Sequence, residues 1–113
     1  MKRILLHLVS AGMFLSLVTL AFPGLVRGQS DPDKLFKTNC VLCHAADGSG
    51  STPTGKALKA KDLRSDEVQK KTDAELAQVI AKGLGKMPGF EKKLKPEDVS
   101  KMVAYIRALP KDK

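Results

Sequence analysis

Residues 29–113 predict a small all-α domain. Three observations carry that prediction. Apolar residues recur at helical spacing in two runs, Leu76, Val79, Ile80, Leu84 and Val99, Met102, Val103, Ile106. Both runs start at recognisable helix-start residues and stop at glycine or proline. No segment alternates apolar and polar residues as a half-buried strand would.

The elements follow in order. Asp31-Pro32 starts a helix, with Asp as N-cap and Pro at the first helical position. Leu35 and Phe36 face inward, and the helix is expected to run into residues 40–44. Residues 46–55 form a loop by composition, rich in Gly, Ser, Thr and Pro. Lys56 to Leu63 is mixed, with room for a short helical turn, and Ser65-Asp66-Glu67 starts another short helix. Thr72 and Glu75 make a capping box for the next helix, which Gly83 and Gly85 end. Met87-Pro88-Gly89-Phe90 reads as a turn. Pro96 opens the last helix, Glu97 and Asp98 suit its dipole, and Pro110 stops it. There is no internal repeat and no second domain.

Within this frame, Cys40-Val41-Leu42-Cys43-His44 is the most specific run. Cys-x-x-Cys-His is the attachment signature of c-type haem. Two thiols at that spacing can add to the two vinyl groups of one haem, and the adjacent His then lies under the iron as proximal ligand. The chain has two cysteines and both are here. A structural zinc site wants four ligands, and no second Cys or His cluster supplies them. A thioredoxin-like redox motif wants a βαβ context, which is absent from the pattern.

His7 lies in the N-terminal leader, so a second His ligand is not expected. The remaining methionines are Met87 and Met102. Met102 sits in the apolar stripe of the last helix and reads as core. Met87 lies in a turn stiffened by Pro88, which suits it as sixth ligand to iron. His44 and Met87 are thus the expected metal ligands.

Residues 1–28 resemble a signal peptide: Lys2 and Arg3, an apolar stretch from Ile4 to Val26, then small residues before Gln29. The stretch is also long enough to span a bilayer, so an uncleaved anchor facing the periplasm is the alternative. Removing it leaves 85 residues with three aromatics, Phe36, Phe90 and Tyr105. A domain so small buries little apolar surface alone, and a porphyrin would supply the missing bulk.

The full chain carries +8. Of its 20 basic residues the leader holds three and none of the 12 acids, which leaves a net +5. Export and the lack of any nucleic-acid motif exclude nucleic acid as the target of this charge. An acidic redox partner, or an anionic membrane surface if the leader is kept, fits better. Lys82, Lys86, Lys92, Lys93 and Lys95 surround Met87 and are candidates for that docking patch.

The haem run, the Met87-Pro88 turn and the terminal helices together resemble a class I c-type cytochrome over residues 31–110. The resemblance implies a helical domain, residues 29–113, wrapped around one haem c held covalently by Cys40 and Cys43. It implies that Phe36 meets Tyr105 where the terminal helices cross, and that Leu58 and Leu63 line the haem pocket. It also implies that the Pro53 carbonyl accepts a hydrogen bond from the His44 ring. The family often has glycine at the position of Pro32, so a later helix start or a looser crossing is expected here.

The functional expectation is a periplasmic, monomeric one-electron carrier, with haem iron cycling between Fe(III) and Fe(II) between redox partners. It is not expected to be an enzyme, because no acid, base or nucleophile cluster accompanies the haem. The alternative is a ligand-binding or peroxidase-like haem protein with a labile sixth ligand.

Overall fold

The computed structural model describes residues 30–111. The leader at 1–28, with its cleavage or retention, lies outside the described residues. The fold is all-α, with one very small hairpin. In chain order it comprises α1 (Pro32–Asn39), α2 (Val41–His44), α3 (Pro53–Leu58), α4 (Asp66–Gln69), α5 (Asp73–Lys82), β1 (Gly83–Leu84), β2 (Met87–Pro88) and α6 (Pro96–Ala108).

Local sequence explains the helix starts. Asp31 accepts a hydrogen bond from Asp33 N at 3.0 Å, and Pro32 opens α1. The helix therefore starts at Pro32 and not later. It stops at Asn39, so the haem run is not its continuation. Cys40 caps α1, and residues 41–44 make a separate turn. Thr72 and Glu75 complete both halves of the capping box of α5.

Two elements depart from the sequence expectation. Helix α3 takes up the end of the stretch expected to be loop, residues 53–55, and the start of the segment in which a short helical turn was expected, residues 56–58. Its start signal is Thr52, whose side chain accepts from Gly55 N, followed by Pro53 at the first position. Gly83 and Leu84, expected as the end of the preceding helix, pair with Met87 and Pro88, expected as the start of a turn, in a two-residue antiparallel ladder, Gly83 with Pro88 and Leu84 with Met87. Strands of two residues are too short to show an alternating pattern.

The core lies between α1, α5 and α6. Phe36, Leu76, Ile80, Leu94, Val99, Met102, Val103 and Ile106 are buried there, joined by Leu63 and Val68. Met102 is 1% exposed, as a core residue should be. The terminal helices meet where the Phe36 and Tyr105 rings stack, with centroids 4.7 Å apart. Tyr105 Oη also donates to Asp33 Oδ1 at 3.1 Å, which ties α6 to the first turn of α1.

At the far end of α6, the Arg107 guanidinium donates to Gln69 O at 2.8 Å and to Asp73 Oδ1 at 2.9 Å. Gln69 Nε2 reaches Leu63 O and Ile106 O. This clip holds α4, the start of α5 and α6 together. Short helices bury little apolar area, so side-chain-to-backbone bonds of this kind carry a larger share of their fixation.

Candidate haem centre

The centre is built on one helical turn. Cys40 N bonds to Phe36 O at 2.8 Å and His44 N to Cys40 O at 2.9 Å, so α2 follows directly from α1. Cys40 and Cys43 are three residues apart and His44 is four from Cys40. At those spacings Cys43 and His44 each neighbour Cys40 across the single turn, which gathers both thiols and the imidazole within one short segment. Both cysteines are half-buried, and no disulfide joins them. Burial, and then the neighbouring Cys43, push the Cys40 thiol up to about 11. A reactive Cys-x-x-Cys of a disulfide oxidoreductase needs the opposite, a lowered thiol.

After His44 the chain turns sharply. Ala45 sits at φ 62, ψ 164 and is buried. That region is essentially reserved for glycine, and a side chain there costs about 1–3 kcal/mol. Ala45→Gly is therefore expected to stabilise the protein by about 1–2 kcal/mol, after allowing for the larger entropy of a glycine in the unfolded chain. Denaturant unfolding of the haem-loaded protein reads this directly. An unchanged or lower midpoint would show that the turn is not strained.

Helix α3 is fastened to the motif. Thr52 Oγ1 donates to Leu42 O at 2.7 Å and accepts from Gly55 N at 2.9 Å. Gly55 is the close-approach residue here: a Cβ on it would lie 2.1 Å from Cys43 O. Any other residue would push α3 off the haem turn. Neither Thr52 nor Gly55 stood out in the sequence as a site residue, although Thr-Pro at a helix start was the available signal.

The His44 ring is oriented by a backbone carbonyl, but not that of Pro53. His44 Nδ1 lies 3.0 Å from Lys61 O. Pro53 is instead the exposed first residue of α3. The expected acceptor is thus corrected to Lys61, seventeen residues beyond His44. The 50–60 loop folds back as a helix and delivers the later segment to the ring. A carbonyl can only accept, so Nδ1 carries the hydrogen and Nε2 keeps its lone pair for a metal. Burial pushes the His44 pKa below the ordinary imidazole value, with the Lys61 bond opposing. The ring is neutral at pH 7, the form that ligates metal.

Met87 is half-buried in β2, opposite Leu84. Gly83 permits this hairpin: its φ is +83, and a Cβ there would lie 2.5 Å from Met87 O. Leu63 is buried in the core, whereas Leu58 ends α3 at 40% exposure. Leu42 and Leu84 are also exposed, at 71% and 65%. Among the described residues no cluster of His, Cys, Asp and Glu could hold a metal ion unaided. The donor set does fit a haem: two thiols, an imidazole with an uncommitted Nε2, and a thioether. Leu42 in the motif, Leu58 on α3 and Leu84 opposite Met87 offer apolar surface suited to a porphyrin.

The comparisons agree with that chemistry. The family described as cytochrome c oxidase, cbb3-type, subunit III matches residues 28–106. The chain belongs to the class I c-type cytochromes. Cytochrome c6 of Nostoc sp. (strain PCC 7120) is 34% identical over 94% of this chain and 92% of its own length. Among solved structures, the KustC0563 c-type cytochrome superposes with a TM-score of 0.66 at 34% identity, covering 72% of this chain and 99% of its own. Cytochrome c6 from the diatom Phaeodactylum tricornutum gives 0.51 at 26% identity, covering 68% and 87%. This cytochrome carries one haem c, held through Cys40 and Cys43, and is an electron carrier. No helix among its described residues is long and apolar enough to cross a membrane.

Proposed function

We propose that this cytochrome is a periplasmic, monomeric one-electron shuttle whose iron is held by His44 and Met87. The observation that carries this reading is the His44 ring, tied through Nδ1 to Lys61 O and so left free at Nε2. Haem, when bound, supplies the Fe(III)/Fe(II) couple. The protein's part is to fix the two ligands and to keep water from the couple. His44 is held by its turn and by the Lys61 carbonyl. Met87 is held by the hairpin that Gly83 permits. Leu58 and Leu63 serve as pocket wall. A thioether favours Fe(II), so the pair sets a higher potential than two histidines would. Were iron held by both His44 and Met87, no coordination position would stay open, which would suit electron transfer and not ligand chemistry. The leader supports export.

The test is the absorption spectrum of the exported protein with and without carbon monoxide. A reduced c-type spectrum unmoved by carbon monoxide is expected. Ready carbon monoxide binding with high-spin iron would favour the ligand-binding alternative.

The partner side of the proposal rests on charge. Lys86, Lys92 and Lys95 are exposed and form no ion pair among the described residues, whereas Lys82 is paired with Glu91 and Lys93 lies over the Phe90 ring. Unpaired cations near the ligand loop can steer an acidic partner. Changing Lys86, Lys92 and Lys95 together to Gln is expected to slow association with an acidic redox protein about tenfold at low salt and to flatten its salt dependence. Stopped-flow transfer rates across a salt series measure both. Equal rates for variant and parent at all salt levels would remove this surface from docking.

A further inference from the structure

We propose that Arg64 is a positioning residue for the proximal ligand, holding the Lys61 carbonyl against the His44 ring and thereby setting the donor strength of the imidazole. The inference rests on the reading of His44 as an iron ligand.

Two segments meet at the His44–Lys61 bond, residues 44–48 and residues 61–65, and the Arg64 guanidinium spans both. On the acceptor side, Asp62 follows Lys61 directly. Its Oδ1 accepts from Arg64 N at 2.9 Å and Nε at 3.0 Å, and its Oδ2 accepts from Nη2 at 3.0 Å. On the ligand side, Arg64 Nη1 lies 3.9 Å from Oδ2 of Asp47, three residues after His44. The contacts close a ring: His44 to Lys61, on to Asp62, through Arg64 to Asp47, and back along the chain to His44.

Other bonds brace the same strip. Leu63 N donates to Gly48 O at 2.8 Å, and the Ser65 hydroxyl donates to Asp62 O at 2.7 Å. The Arg64 side chain is 15% exposed, so the cation is held in place by packing, while its partners Asp62 and Asp47 are more open, at 33% and 61%. Arg64 also holds the Asp62 carboxyl below the usual carboxylate range.

The chemistry follows from the fork. Two parallel N–H···O bonds fix direction as well as distance, and a lysine cannot reproduce them. A tight Nδ1–H···O bond makes the imidazole a stronger donor, which favours Fe(III) and lowers the potential. A looser bond raises it. Losing the positive charge of Arg64 acts the other way, because a cation near iron favours Fe(II). Arg64→Lys keeps the charge and breaks the fork, so it isolates the geometric effect. Arg64→Gln removes both.

The experiment uses the haem-loaded protein. NMR follows hydrogen exchange of the His44 Nδ1 proton and of the Val103 amide in the buried core, and a redox titration gives the potential. Arg64→Lys is expected to speed exchange of the ring proton about tenfold and to raise the potential, with Val103 unchanged. Asp62→Asn, a second route should Arg64→Lys not accumulate, is expected to move both readouts the same way. Unchanged ring exchange in these variants overturns the proposal. So does acceleration at Val103 equal to that at the ring, because the residue would then serve global stability alone. The parent protein tests the underlying reading separately: a His44 ring without paramagnetic shift in the Fe(III) form would remove the ligand assignment, and the positioning role with it.

Discussion

Replacing Met87 with Ala is expected to abolish the weak far-red band of Met sulfur-to-Fe(III) charge transfer. It should lower the reduction potential by on the order of 100 mV, because the neutral thioether that favours Fe(II) is lost. It should also let the reduced protein bind carbon monoxide, because one axial position is no longer filled. The protein offers no substitute thioether nearby in chemistry or freedom. Met102, the other methionine after the leader, is 1% exposed within the α6 core and is locked there by packing. The covalent spectrum itself should survive, since Cys40 and Cys43 are untouched. A variant that keeps the far-red band would remove Met87 from the iron and reopen the choice of sixth ligand.

Phe36→Ala is expected to cost about 3–5 kcal/mol of folding stability. Phe36 is 1% exposed and is one of the two largest fully buried side chains among the described residues. Its truncation removes the stacking partner of Tyr105 and leaves a cavity at the crossing of α1 and α6. Small domains have about 5–15 kcal/mol in all, so the loss is a large share. Guanidinium unfolding of the haem-loaded protein, followed in the far-ultraviolet, measures it. A loss below about 1 kcal/mol would mean that the covalent link at Cys40, and not the crossing, holds α1 in place.

These two predictions rest on residues of different legibility. Phe36 and Tyr105 could be paired only through the family resemblance, because sixty-nine residues separate them and nothing local in either points to the other. The stacking is a tertiary fact. Met87 stands apart in the sequence by its setting, in a turn bounded by glycines and proline, whereas Met102 falls in a helical stripe; that Met87 holds iron is the proposal its substitution tests. The capping box at Thr72 and the Pro starts of α1 and α6 were legible because a helix start is decided by backbone donors within three or four residues. Helix α3 was hidden by its own composition, since Ser, Thr, Gly and Pro mark loops more often than helix starts.

Sequence by itself determined the chemistry of this protein. Two thiols and an imidazole within five residues are a local arrangement, and one helical turn is enough to gather them. It likewise determined the helical class, through apolar spacing and capping. Only the tertiary structure decided what lies behind the imidazole. The partner of Nδ1 is a backbone carbonyl, which every residue possesses, so no side chain at position 61 could announce it. Which carbonyl arrives depends on how the 45–60 segment folds, and that is settled by the strained turn at Ala45, the close approach at Gly55 and the bridge from Asp47 through Arg64 to Asp62. Contacts made by generic backbone groups across long sequence separations leave no residue-type signature, which is why Pro53 was a reasonable expectation and Lys61 is the observed acceptor.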